Sequence, residues 1–211
     1  MNTRLPDHQR CLQCLIAAVL LLAAACVPAG EAAEVASVPD SFSASAVPYP
    51  ADYRASFVRY LTVDRPDATV RDLYINPEAV DALRRGQPLP ENTVIVIEAF
   101  TAAVDASGDP VSDPDRRYVR AAPFEMLHVA HRRSDWAEDD FPSVVRTGRW
   151  NFGSFDVATG APFNEDLAAC FNCHQAMPQT DFLYTADHLL RYVRSGEPQY
   201  TFCNLRRRLP C

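Results

Sequence analysis

The chain has 211 residues and a formal net charge of −7, with 27 acidic side chains against 20 basic ones. That balance argues against nucleic acid and anionic lipid as partners, and the length leaves room for one domain with a full core once a leader is removed. All 20 residues counted as Lys or Arg are arginine, so the chain contains no lysine.

Arg4 and Arg10 precede an apolar run from Leu12 to Val27 that is short for a membrane span and ends in small residues. It reads as a secretory signal over residues 1–25. Cleavage after Ala25 and cleavage a few residues later, near Ala29, are both open. A cut just before Cys26 would expose that residue for lipid attachment, since Leu22-Ala23-Ala24-Ala25-Cys26 loosely resembles a bacterial lipoprotein box. No adjacent arginine pair precedes the run, which favours the general export route over the twin-arginine one. The protein is therefore expected to be periplasmic or otherwise exported, either free or anchored through Cys26. Arg4, Arg10 and Asp7 give the leader +1, so the remainder carries −8 of the total −7. Residues 26–48, rich in Ala, Ser, Val and Pro, read as a flexible tether, and residues 49–211 as a single domain.

Within that domain Tyr53, Phe57, Tyr60 and Leu61 recur at helical spacing and predict a first helix of about ten residues. Val70 to Ile75 reads as a strand. Asn76 as N-cap, Pro77 at the first helical position, apolar Ala79, Val80 and Leu83, and Gly86 past the end predict the next helix. Thr93 to Phe100 is the strongest strand, β-branched and nearly continuous, hence central. Glu98 interrupts it: it lies at a bulge facing water, or is buried against an arginine, or faces a functional cavity. Ser107 to Asp115 is a polar loop. Tyr118 to His131 predicts a strand with Phe124, Met126, His128 and Ala130 on one face and Leu127, Val129 and His131 on the other. Arg149 to Asp156 predicts another, with Gly153 at a bulge or a close approach. A last helix starts after Thr185, buries Leu189, Leu190 and Val193, and ends at Gly196. Sheet-forming segments flanked by helices make the expected class α+β, with a mainly antiparallel sheet and peripheral helices.

Cys170-Phe171-Asn172-Cys173-His174 is a C-x-x-C-H run, the attachment pattern of a c-type haem. Two cysteine sulfurs form thioethers to the haem vinyl groups, and the following histidine binds the iron from one side. Asn164 as N-cap, Glu165 and Asp166 in the first turn, and Leu167, Cys170, Phe171 and His174 at i, i+3, i+4 and i+7 place the run on a helix. The residue reading thus assigns one covalently attached haem per chain to Cys170 and Cys173, with His174 as metal ligand. A zinc site completed by Cys203 and Cys211, or a redox-active thiol pair, are the alternatives. Cys11 and Cys14 lie in the leader without a following histidine. Cys203 and Cys211 form an even remainder that in an oxidising compartment predicts a disulfide.

The order of these pieces resembles the cytochrome P-460 family and its relative cytochrome c′-beta. The resemblance rests on Asp52-Tyr53-Arg54, Leu73-Tyr74-Ile75-Asn76-Pro77-Glu78, Thr93-Val94-Ile95-Val96-Ile97-Glu98, and the late Cys170 to His174 motif followed by Thr180-Asp181-Phe182; it covers residues 49 to 195. It implies a haem packed on a mainly antiparallel sheet, and a homodimer. Members of the cytochrome P-460 kind oxidise hydroxylamine with a haem cross-linked to a lysine just before the strand glutamate. Ile97 stands there, and arginine is no substitute for an amine nucleophile. The family's distal carboxylate aligns with Met126 to His128, where none is present; Glu125 is one residue away.

Both departures point to the non-cross-linked branch, whose five-coordinate haem binds nitric oxide under an apolar cap. The leading expectation is a mono-haem cytochrome that binds a small gas such as nitric oxide and exchanges electrons with a redox partner protein. The alternatives are a six-coordinate electron carrier with Met126 or His128 as sixth ligand, and an oxidoreductase acting on hydroxylamine or peroxide with Glu125, Glu98 or His128 handling protons. No catalytic residue is assigned. Met177 lies too close to His174 to reach the other side of the haem, and His188 is expected to face solvent.

Overall fold

The computed structural model describes residues 46–141, 146–163 and 165–203. The expected leader, the cleavage point with Cys26, most of the tether, Asn164 and Cys211 lie outside the described residues. Among the described residues, no helix is long and apolar enough to cross a membrane.

Phe57 is where the chain departs from the expected first helix. Helix α1 covers only Tyr53–Ser56, Phe57 is extended, and Val58–Asp64 is strand β1. Tyr60 and Leu61 are adjacent in sequence yet both fully buried, because β1 carries a bulge between Arg59 and Leu61. A bulge breaks the strand period of two, and with Tyr53 and Phe57 upstream the spacing imitates a helix. The aromatic and β-branched content of Phe57 to Val63 decides for a strand.

Strand β2 (Thr69–Ile75), helix α2 (Pro77–Arg84), β3 (Thr93–Ala102), β4 (Arg120–Arg132) and β5 (Trp150–Asp156) follow. Then come helices α3 (Ala168–His174) and α4 (Ala186–Ser195) and strand β6 (Gln199–Phe202). The strands form one sheet in the order β5-β4-β3-β2-β1-β6. β1 to β5 pair antiparallel, and β6, which the sequence pattern does not announce, joins β1 in parallel. The class is the expected α+β, and β3 is central.

Alternation along the strands gives the sheet two buried faces. Leu73, Ile75, Ile95, Trp150 and Phe152 pack on one side with Phe171 of α3 and Leu189 of α4. Val96, Leu127, Val129 and Phe155 pack on the other with Tyr53 of α1 and with Val47. The helix ends are tied to the sheet by side chains expected to act as caps. Asn76 Oδ1 accepts from the Val94 N–H at 2.8 Å instead of from α2, and the Thr185 hydroxyl bonds the Tyr60 hydroxyl at 2.7 Å instead of α4. Within α4, Leu189 and Tyr192 are buried whereas Leu190 is 41% exposed. Leu189 and the partly buried Val193 face the core as expected, and only Leu190 differs, because the tyrosine ring buries its apolar body in its place.

Candidate functional site

Helix α3 begins later than the sequence suggests. Asp166 Oδ1 accepts the Ala168 N–H at 3.0 Å and serves as the local cap. Phe171 anchors the helix: it is fully buried and stands edge-on to Phe152 with ring centroids 4.9 Å apart. That anchor leaves Cys170 half-buried and Cys173 exposed, both as free thiols, one turn apart. Burial, reinforced by the Glu165 charge, pushes the Cys170 thiol up to about 12, so it stays protonated rather than acting as a thiolate.

His174 closes the helix. Its ring lies 4.8 Å from that of Phe152 and 5.4 Å from that of Tyr184. Nδ1 donates to the Phe182 carbonyl at 2.5 Å. Burial holds the imidazole below its usual pKa, against the opposing pull of that carbonyl. A neutral ring protonated on Nδ1 keeps the Nε2 lone pair, the tautomer a metal ion requires. Tyr184 braces the same turn, its hydroxyl donating to the Cys173 carbonyl at 2.8 Å. Two thiols and one imidazole lone pair are the donor set that two haem vinyl groups and an iron would need. Among the described residues, no three His, Cys, Asp or Glu side chains converge to hold a bare metal ion.

The sheet face beneath α3 carries His128, which pairs with Ile97 on β3 and with Ser154 on β5. His128 Nε2 lies 3.1 Å from Glu165 Oε2; burial lowers the imidazole pKa and Glu165 partly offsets this. The Ser154 hydroxyl beside it is buried with no hydrogen-bond partner among the described residues. Arg71 lies on the same face two residues before Leu73, and burial, with the Arg65 charge next, pushes its guanidinium down to about 10 against the opposing charges of Asp67 and Glu165.

The remaining candidates lie elsewhere. Glu98 pairs with Leu127, points to the opposite face and is closed by Arg54; of its expected settings it takes the one buried against an arginine, and although the strand register shifts just after it, it does not face water. His131 is on that opposite face too, stacked edge-on to Trp136 at 5.4 Å. Glu125 and Phe124 are exposed and Met126 is half-buried, at the solvated start of β4. His188 bonds Arg191 at 2.9 Å on α4. Two contributors escaped the sequence reading. The Phe182 carbonyl has no side-chain signature, and Glu165 reads as an ordinary first-turn acid until β4 is placed beside it.

One face of the sheet is covered by a short helix that presents two thiols and a neutral imidazole, a donor set that a haem could use. The profile of the family Cytochrome P460 matches residues 50–185, more than half of the chain and every element from α1 to α3. The chain belongs to this family of haem-binding cytochromes. No curated protein sequence matches it significantly.

Proposed function

We propose that the protein is an exported mono-haem cytochrome in which Cys170 and Cys173 hold the haem through thioethers and His174 binds the iron. The other side of the iron is open to a small neutral gas such as nitric oxide, with electron exchange as a companion property. The observation that supports this reading is the bond from His174 Nδ1 to the Phe182 carbonyl, which leaves the Nε2 lone pair available to a ligand. When bound, the haem would supply a redox-active iron; Cys170 and Cys173 would hold it, and His174, oriented by the Phe182 carbonyl, would bind the iron.

The sixth-ligand alternative is disfavoured by the engagement of His128 Nε2 with Glu165 and by the position of Met126 near solvent. The enzyme alternative has one specific observation behind it. Glu165 and His128 form a carboxylate–imidazole pair on the α3 side, able to hold and move a proton at His128 Nε2. In that reading Glu165, not Glu98 or Glu125, is the proton-handling acid. Cleavage of residues 1–25, lipid attachment at Cys26, a Cys203–Cys211 disulfide, a homodimer and a redox partner protein belong to the same proposal.

Absorption spectra of the oxidised and reduced holoprotein, with and without nitric oxide, test it. A high-spin ferrous haem that takes up nitric oxide, lacks the red-shifted Soret band of a lysine cross-link and survives acid–acetone extraction is expected. Cys170→Ala with Cys173→Ala should lose the haem. A low-spin ferrous spectrum that turns high-spin in His128→Ala or Met126→Ala would make the protein a carrier. Rapid hydroxylamine oxidation abolished in Glu165→Gln would make it an enzyme.

A further inference from the structure

The carbonyl that receives the His174 Nδ1–H belongs to a turn that ordinary residues avoid. Asp181 and Phe182 have φ of +49° and +61°, two successive left-handed residues and neither a glycine, a conformation that persists only where the surroundings impose it. Three contacts impose it. The Phe182 N–H donates to the Met177 carbonyl at 2.8 Å. Arg132 Nε donates to Asp181 Oδ2 at 3.1 Å, from a side chain only 11% exposed. Gly148, itself at φ +60°, makes room for the Phe182 ring, since a Cβ there would come within 2.7 Å of Phe182 Cε2.

Arg132 is well placed to act as a fixed post. It ends β4 in register with Thr93 on β3 and Trp150 on β5, both fully buried, and its own carbonyl accepts the Asn92 N–H at 2.8 Å. The chain Arg132, Asp181, Phe182 carbonyl, His174 Nδ1 thus connects a rigid strand end to the proximal imidazole through two hydrogen bonds and one peptide turn.

We propose that Arg132, acting through Asp181, is a positioning residue that sets the strength of the bond between His174 and the haem iron. This rests on the reading of His174 as the iron ligand. A firm Nδ1–H to carbonyl hydrogen bond makes the imidazole a stronger donor, which tightens its bond to iron and favours the ferric state. Arg132 touches neither the imidazole nor the haem; it keeps the acceptor in place.

Resonance Raman spectra of the ferrous holoprotein, together with the midpoint potential, test this with haem content held constant by the thioethers. Arg132→Gln and Asp181→Asn should each shift the iron–histidine stretch to lower frequency and raise the potential. Arg132→Lys, which keeps the charge but not the Nε geometry, should restore part of both. Gly148→Ala, which displaces Phe182 and spares the ion pair, should shift them in the same direction even where the arginine variants fold poorly. Glu91→Gln is the control, because Glu91 approaches Arg132 at 3.5 Å and Arg149 at 2.6 Å without touching the turn; it should leave both readings unchanged. An unaltered stretch in Arg132→Gln and Gly148→Ala, with the wild-type band present, overturns the positioning role alone. Absence of that band from the wild type, with haem retained in His174→Ala and its spectrum unchanged, overturns the ligand assignment and this proposal with it.

Discussion

Ile97 and Glu98 are neighbours in sequence on β3 and face opposite sides of the sheet. Ile97 lies across from His128 on the side of α3, whereas Glu98 lies across from Leu127 beside Tyr53 and Tyr74, whose hydroxyls it helps to keep protonated. The position before the strand glutamate is therefore the one that faces α3. The absence of a lysine there bears directly on the site, and the glutamate itself does not.

Removal of the guanidinium at Arg54 should accordingly be a matter of stability and not of ligand chemistry. Glu98 is 5% exposed and would be left buried without its partner, but the Arg54 side chain is 55% exposed, so the cost expected for a fully buried pair is reduced. Arg54→Ala should lower the unfolding free energy by about 1–2 kcal/mol and leave the ferrous and nitric-oxide spectra unchanged. Chemical denaturation alongside absorption spectroscopy checks both halves.

His131 should make the fold sensitive to mild acid. Both its ring nitrogens are buried without hydrogen-bond partners among the described residues; burial, and secondarily Arg133, push its pKa down to about 4, with Asp135 in opposition. Between that value and the unfolded value of about 6.5 the unfolded chain binds the extra proton. The stability associated with a neutral His131 is thus complete above about pH 6.5 and falls as the pH drops towards 4, by up to about 3 kcal/mol. His131→Leu should flatten that part of the stability profile and be neutral or stabilising at pH 7, because an unpartnered polar group is removed. An unchanged slope between pH 7 and pH 5 in urea titrations of the variant would assign the acid sensitivity to other groups.

Gly153 should tolerate no side chain. An added Cβ would meet Phe155 Cε2 at 2.8 Å and Val47 Cβ at 3.2 Å, in the core on the side away from α3. Gly153→Ala is expected to cost about 1–3 kcal/mol by overpacking, measured as a lower denaturation midpoint with an unaltered slope.

Local chemistry made some of this molecule legible. The Asn76-Pro77 start of α2, the β-branched run of β3, the alternation of β4 and the C-x-x-C-H pentapeptide each carry their signal within a few residues. The close approach at Gly153 also followed from a glycine in a strand. What stayed hidden depends on partners distant in sequence or on backbone atoms. The bulge at Tyr60 disguised β1 as helix. Gln199 to Phe202 is too short to read as a strand until β1 offers it an edge. Asp181 and Phe182 adopt left-handed geometry without the glycine that would advertise it, and the pairing of Glu165 with His128 exists only after folding.

The parallel pairing of Leu61 to Asp64 with Gln199 to Phe202 joins the first described strand to the last. Pairing across so much chain is slow to form, and until it forms β1 is an uncovered margin of the sheet. A chain stopped before Gln199 retains the pentapeptide, the Phe182 turn and five of the strands, yet presents along β1 a row of unsatisfied amides and carbonyls. Such a margin recruits strands from other molecules, so the shortened protein should self-associate even where its haem pocket is intact.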